Sequence, residues 1–220
     1  MSIALRTKPA IAPKNLPSKT KRQVVQPKAQ KKFKSGHWKL NLPFDWETLA
    51  INFGTSQQRL TDEEYFQFCR LTRDLRIEMS KEGEIMIMMP TGGEGGNRNF
   101  KLTVRLGVWV EANGTGLGFD SSTEFSLPNK AKRSPDFSWI RRERWEALTQ
   151  KQREVFPPIC PDFVVELRSR TDRLKTLKAK MEEYVENGAQ LGWLIDPLKK
   201  KVYIYRPNSK VEVLDKPQKI

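Results

Sequence analysis

Hydrophobic residues recur along the chain with two different spacings, and each spacing predicts a different element. From residue 174 to residue 185 they recur every three or four positions, as on one side of a helix. Short runs of β-branched and aromatic residues, such as 136–140 and 163–165, instead predict strands. The presence of both strands and helices predicts one α/β domain.

The other elements follow from local signals. Thr61 and Glu64 have the spacing of a capping box, so a helix is predicted from there to about residue 73. Two apolar runs around a Lys-Glu-Gly turn at 81–83 predict a β-hairpin. We further predict helices at 99–112 and 141–150, a helix stop at 187–188, and strands at 119–127, 134–140, 191–195, 202–206 and 211–214.

Two acidic residues lie at the ends of predicted strands. Asp136 follows a proline at the start of one strand, and Glu166 directly follows the apolar run of the next. An ionised carboxylate buried without a partner costs several kcal/mol or more, so such acids usually bind a cation or a metal. Two carboxylates from adjacent strands with a nearby lysine would suit a Mg²⁺ site for phosphodiester hydrolysis. The residues alone equally allow Asp136 to cap a turn and Glu166 to pair with Arg168 or a lysine.

The following helix supplies a candidate lysine. Lys180 borders the apolar side of this helix, four residues before Tyr184, so its ammonium group can reach past the strand ends into a cleft. The alternative is a solvated lysine whose methylene groups cover apolar surface.

Several segments together are specific enough to indicate a family. They are Pro90–Glu94 with Arg98 and Asn99, Ser134–Asp136, Pro161–Ser169, Lys180 with Tyr184, and Gly192–Pro197. Over residues 76–207 the chain resembles the Uma family of putative restriction endonucleases, within the PD-(D/E)XK nuclease superfamily. The resemblance implies a restriction-endonuclease-like core with a mixed central β-sheet flanked by helices.

The resemblance also implies roles for particular residues. The metal-binding acids of the superfamily correspond to Asp136 and Glu166, and the Leu167 carbonyl group is a further oxygen available to the metal. The lysine usually found two positions after the glutamate is replaced by Arg168, which stays protonated and can hold phosphate but cannot act as a base. Lys180 is then the expected catalytic lysine, moved to the helix.

Basic charge is concentrated at the start of the chain. The formal net charge is +14, and residues 1–40 contain eleven Lys or Arg and no acid. We expect residues 1–44 to form a basic, disordered tail ahead of a nuclease-like domain at 45–220, because the tail can bury little apolar surface. Salt-sensitive attraction to nucleic acid, a solubilising leader and a misassigned start codon all remain open for this tail.

Composition also argues against several classes of protein. Neither a signal peptide nor a membrane span is apparent, which predicts a cytoplasmic protein without a membrane role. Cys69 and Cys160 lack metal-ligand spacing, and the single histidine, His37, argues against zinc binding and Ser/His or Cys/His catalysis.

The sequence therefore predicts an endodeoxyribonuclease that uses Mg²⁺, with Mn²⁺ as a substitute. Asp136 and Glu166 would hold the metal, and Lys180 would position the attacking hydroxide or stabilise the phosphate. DNA is the expected partner, and a homodimer stays open. The alternative is a catalytically inactive, nuclease-fold protein that binds nucleic acid, which Arg168 would favour.

Overall fold

The computed structural model describes residues 59–218 and, before them, the backbone of two short strands. The helices are α1 (Asp62–Leu71), α2 (Gly93–Asn113), α3 (Arg142–Glu146), α4 (Gln150–Glu154) and α5 (Leu174–Glu186). The strands are β1 (Val24–Val25), β2 (Thr48–Ile51), β3 (Arg76–Met79), β4 (Ile85–Met88), β5 (Gly116–Asp120), β6 (Phe125–Ser126), β7 (Lys132–Arg133), β8 (Phe137–Arg141), β9 (Phe163–Leu167), β10 (Leu191–Asp196), β11 (Lys201–Tyr205) and β12 (Glu212–Asp215).

These strands form two six-stranded sheets. The N-terminal sheet has the order β1-β2-β4-β3-β7-β6, and the C-terminal sheet has the order β12-β11-β10-β9-β8-β5. In the C-terminal sheet β9 and β10 are parallel, joined by α5, whereas the other neighbours are antiparallel. A mixed sheet flanked by helices is therefore present, and a second sheet lies beside it that the sequence pattern did not predict.

Two local signals produced the elements expected from them. Thr61 accepts a hydrogen bond from the Glu64 backbone, and the Glu64 side chain accepts one from Thr61, so the capping box begins α1. The predicted hairpin forms from β3 and β4. The Lys180 helix also has the predicted extent and ends before Gly188, whose φ of +111° suits a glycine.

The predicted helix at 99–112 begins earlier, at Gly93. Glycine is least costly in the first turn, where the backbone N–H groups have no partner within the helix. Glu94 lies in this turn, where its negative charge complements the helix dipole, and it pairs with Arg98 at 3.1 Å. The glycine-rich stretch therefore begins a helix rather than forming a loop.

The prediction of one continuous strand at 119–127 was wrong. Asp120 accepts hydrogen bonds from the Ser122 backbone at 3.0 Å and hydroxyl at 2.6 Å, which turns the chain. As a result, β5 pairs with β8 in one sheet and β6 pairs with β7 in the other. The predicted helix at 141–150 is also shorter than expected: α3 ends at Glu146, and a second capping box at Thr149 begins the separate helix α4.

The core beneath the C-terminal sheet fixes the position of α5. Met181 and Tyr184 of α5 are fully buried with Val164 of β9 and Leu194 of β10. A Cβ atom at Gly192 would lie 2.5 Å from the Met181 side chain, so this glycine permits close contact between helix and sheet. The approach brings the next residues of α5 to the ends of β8 and β9.

Of the predicted tail, the structure describes only the backbone of Val24–Val25, which pairs in parallel with β2. The rest of residues 1–44, including His37, lies outside the described residues, so the tail and the division into domains stay predictions. No helix in the described part of the chain is long and apolar enough to cross a membrane.

Candidate active site

Neighbouring strands bring the two predicted acids together. Phe137 of β8 lies opposite Val165 of β9 in antiparallel register, so Asp136, one residue earlier, falls opposite Glu166, one residue later. The Asp136 Oδ2 atom accepts a hydrogen bond from the Leu167 backbone N–H at 2.8 Å. This bond ties the start of one strand to the end of the other.

Lys180 reaches the same place from α5. Its Nζ atom lies 2.8 Å from Glu166 Oε1 and 2.8 Å from Glu78 Oε1. The Tyr184 hydroxyl, one helical turn later, donates a hydrogen bond to Glu166 Oε1 at 3.0 Å. The predicted side of α5 is therefore the side that faces the acids, and Glu166 is paired with Lys180 rather than with Arg168.

Glu78 is a third acid of this cluster, and sequence reasoning missed it. It comes from β3 of the N-terminal sheet and is only 3% exposed. Besides Lys180, it accepts hydrogen bonds from the Ser134 backbone at 2.9 Å and from Arg133 at 3.3 Å. The alternation Ile77-Glu78-Met79 is typical of a strand with one side facing solvent, so nothing in the local pattern indicates that Glu78 is buried.

Arg133 links this cluster to α5 a second time. Its Nε atom lies 2.6 Å from Glu183 Oε2, while Asn129 donates to the other oxygen of Glu183 at 3.0 Å. Each buried charge thus has an opposite charge beside it, as expected where ionised groups leave water.

Burial has the largest effect on the pKa of the two acids opposite each other. It raises the pKa of Glu166 to about 7: Lys180 opposes the shift, whereas Asp136 and Glu78 add to it. Burial also raises the pKa of Asp136, although the Leu167 N–H group and Arg76 partly offset this.

Glu78 and Lys180 shift towards their charged forms. Burial alone would raise the pKa of Glu78, but Lys180 and Arg133 together outweigh it and the net shift is downward. Burial alone would lower the pKa of Lys180, but Glu166 and Glu78 outweigh it and the net shift is upward. Lys180 is therefore an ammonium ion at neutral pH.

A cavity of about 430 Å³ opens beside Asp136. The N-terminus of α2 borders it, and four arginines line it, namely Arg76, Arg98, Arg168 and Arg170. Glu166 and Lys180 are not in its lining, and Glu166 is buried. A negatively charged ligand in this cavity would meet mostly positive charge.

Arg168, predicted to hold phosphate, has a structural partner. Its Nη1 atom lies 2.8 Å from Asp196, which is fully buried, and its Nε donates to the Asp172 carbonyl at 3.2 Å. The side chain nevertheless borders the cavity, so it can present its remaining N–H groups there.

The two acids fit a hard divalent cation that needs only one or two ligands from the protein. No group of three or more His, Cys, Asp or Glu with the geometry of a metal site occurs in the described part of the chain. Asp136 Oδ1 has Arg76 at 3.7 Å, and Glu166 Oε2 has no hydrogen bond within residues 59–218. Two carboxylates, with water and phosphate completing the shell, are a usual set for Mg²⁺.

Comparison with known proteins identifies the family to which the chain belongs. Residues 62–220 match the model of the Uma2 family, described as putative restriction endonuclease. The chain belongs to the Uma2 family. Its fold resembles the crystal structure of a putative nuclease belonging to DUF820 from Anabaena variabilis, with a TM-score of 0.58 and 22% sequence identity. That likeness covers 73% of this Uma2 chain and 87% of the other chain.

These matches confirm the family and the restriction-endonuclease-like α/β fold predicted from the sequence. No curated protein matches this Uma2 chain. The roles of Asp136, Glu166 and Lys180 stay predictions, since neither match assigns individual residues.

Proposed function

We propose that this Uma2 chain is a metal-dependent endonuclease that hydrolyses DNA phosphodiester bonds. One observation carries the proposal: two carboxylates from adjacent strands, Asp136 and Glu166, meet beside the ammonium group of Lys180, and Asp136 also lines a cavity with four arginines. The description of the family as restriction endonucleases supports the same class of reaction.

Asp136 and Glu166 are the residues that would hold Mg²⁺ or Mn²⁺, through Asp136 Oδ1 and Glu166 Oε2. A bound Mg²⁺ supplies a water of lowered pKa and offsets charge on the phosphate. The Leu167 N–H group keeps Asp136 Oδ2 fixed, and Tyr184 and Lys180 keep Glu166 Oε1 fixed. Each carboxylate is thus oriented through one oxygen and left available through the other.

Lys180 contributes positive charge rather than a base. The upward shift of its pKa keeps the side chain protonated, so it cannot accept a proton from water at neutral pH. Its field favours negative charge that develops on the phosphate in the transition state. Glu78 acts through Lys180 as a positioning residue, since it holds the same Nζ atom at 2.8 Å.

The arginines and the N-terminus of α2 would bring the phosphate to Asp136. Arg76 lies 3.7 Å from Asp136 Oδ1, and Gly92 and Gly93, at the start of α2, also line the cavity. Backbone N–H groups of a helix start are free to donate to an anion.

A second candidate function is a nucleic-acid-binding protein without catalysis. The observation in its favour is Arg168, which stands where the superfamily has lysine and is committed to the buried carboxylate of Asp196. Such a protein would retain DNA in a salt-dependent manner and release no products.

The experiment that separates the two candidates incubates plasmid and single-stranded DNA with the protein while Mg²⁺ or Mn²⁺ is titrated. We expect cleavage that requires the metal and is abolished by chelation, by Asp136→Ala and by Glu166→Gln. Circular dichroism of each variant checks that it is folded. Turnover retained in either folded variant would contradict the assignment of the metal ligands, and DNA retention without products would favour the binding protein.

A further inference from the structure

A second, larger cavity lies between α2 and the C-terminal sheet, and the proposed chemistry does not use it. Its volume is about 1240 Å³, above the roughly 300–1,000 Å³ typical of pockets for small molecules. We call it the α2 cleft. It shares Arg98 and Leu167 with the cavity at Asp136, so the two cavities are adjacent.

One wall of the α2 cleft is basic. Arg98, Lys101 and Arg105 of α2 line it, all with exposed side chains. Lys101 and Arg105 form no ion pair within residues 59–218, whereas Arg98 pairs with Glu94 at 3.1 Å. Asp162, the acid in the lining, is neutralised by Arg141 at 3.0 Å and Arg144 at 2.9 Å. The cleft therefore carries net positive charge.

The floor of the α2 cleft is aromatic. Trp109 of α2 and Trp139, Phe163 and Trp193 of the sheet line it, with ring centroids 4.9 to 6.3 Å apart in successive contacts. Trp109 is 40% exposed, and the Trp139 Nε1 atom has no hydrogen-bond partner among the described residues. Trp139 and Trp193 are partly buried and Phe163 is buried, so Trp109 is the most accessible of these rings. An accessible aromatic ring beside unpaired cations is a combination by which proteins hold unpaired bases and their phosphates.

We propose that the α2 cleft binds a single-stranded segment of nucleic acid that continues from the active site. The segment would stack bases on Trp109 and Trp193 and place phosphates along Lys101 and Arg105. From Arg98 to Arg105 the helix rises about 10 Å, so these side chains form a short basic track that a strand's backbone could follow. This inference rests on the proposed nuclease function and adds the substrate class, namely single strands or duplexes with an unpaired end.

The test measures binding in the presence of a chelator, so it does not depend on cleavage. A fluorescently labelled oligothymidylate of about twelve nucleotides is titrated with the full chain, alongside the same strand annealed to its complement. We expect the single strand to bind more tightly than the duplex. Trp109→Leu should weaken single-strand binding by about 5- to 100-fold, and Trp109→Phe should restore most of it.

Salt dependence tests the basic wall. Removing Lys101 and Arg105 together should lower the slope of log affinity against log salt by about 1.4, or 0.7 for each phosphate contact on a single strand. The matched control is Lys81→Ala with Lys210→Ala, which removes two exposed cations outside both cavities and should leave single-strand binding little changed.

The outcomes distinguish this inference from the proposed function. Cleft-dependent binding without any cleavage would support the α2 cleft and overturn the nuclease. Suppose that the protein cleaves DNA, but that neither Trp109→Leu nor the double variant Lys101→Ala with Arg105→Ala changes its affinity for the single strand. That result would overturn the proposal that the α2 cleft binds the strand. A change of sedimentation from dimer to monomer in Trp109→Leu, with no effect on oligothymidylate, would show that a second copy occupies the cleft and would also overturn it.

Discussion

Two regions of the molecule each bury a glutamate and raise its pKa, but they differ in what surrounds it. Glu166 lies among Lys180, Tyr184 and Asp136 next to a cavity, and its pKa is raised to about 7. Glu124 lies behind α1, where the Tyr65 hydroxyl donates to it at 2.7 Å, and burial raises its pKa to about 8. In Glu124 burial is the largest cause, the Tyr65 hydrogen bond opposes it and Glu78 adds to it.

The difference shows that a raised pKa alone does not indicate a reactive site. Glu124 receives no ion pair within residues 59–218 and its pKa is raised to about 8, so it is protonated at neutral pH and acts as a packed hydrogen-bonding group. Glu166 has a lysine at 2.8 Å, a second acid opposite it and one oxygen with no hydrogen bond to any residue in the range 59–218. Its charged form is available to a cation, which is what metal binding requires.

The largest expected effect is on cleavage. Glu166→Gln should reduce turnover by roughly 10⁴-fold, because metal ions contribute several kcal/mol to such reactions. Glu124→Gln should leave turnover little changed, since the neutral amide resembles the protonated acid. Single-turnover cleavage of labelled DNA at saturating Mg²⁺ measures both. Equal losses in the two variants would show that the regions do not differ in function.

The next effect is on stability. Lys180→Ala leaves Glu78 and Glu166 buried without their shared cation, so we expect a loss of about 3–5 kcal/mol of unfolding free energy. Lys175→Ala, an exposed position on the same helix, should change it by less than about 0.5 kcal/mol. Urea denaturation measures both, and similar midpoints would contradict the role given to the ion pairs. If Lys180→Ala does not fold, Lys180→Met keeps the apolar contacts and serves instead.

A smaller effect concerns pH and Glu124. The unfolded chain releases this proton near pH 4.5, whereas the folded chain keeps it to about pH 8, so the stabilisation is complete below 4.5 and is lost as pH rises through 8. Between pH 5.5 and pH 8.5 the wild type should therefore lose about 2–3 kcal/mol relative to Glu124→Gln. Urea denaturation of both proteins at the two pH values checks this, and Glu166 cancels because both retain it. If the difference in unfolding free energy between the two proteins does not change with pH, Glu124 is already ionised in the folded protein.

The smallest effect is the pH dependence of metal binding. Mg²⁺ needs the carboxylate form of Glu166, whose pKa is about 7, so affinity should rise about tenfold per pH unit below 7 and level off above it. Calorimetric titration of Mg²⁺ from pH 5.5 to pH 8.5 measures the curve. A curve already flat at pH 6 would contradict the raised pKa, and the Glu124→Gln protein should reproduce the wild-type curve.

Sequence reasoning reached the parts of the site that local pattern controls. The strand pattern indicated that Asp136 and Glu166 adjoin strand ends, and the period of α5 indicated which side of the helix carries Lys180, but the resemblance to the Uma family was needed to single these three residues out. Glu78 could not be placed, since its burial depends on the second sheet, which β6 and β7 complete only after the turn at Asp120. The hydrogen bond from the Ser122 backbone to the Asp120 side chain turns the chain, so the predicted strand is divided between two sheets. The spacing of hydrophobic residues does not reveal such a turn.

Lys180 is held jointly by Glu78 of the N-terminal sheet and Glu166 of the C-terminal sheet. The ammonium group consequently reaches its position only when both halves of the fold have docked against each other. A molecule in which either half is still unfolded, during synthesis or after local opening, would lack the assembled charge cluster. The proposed activity would therefore appear only once both halves have folded, and opening of either half would remove it.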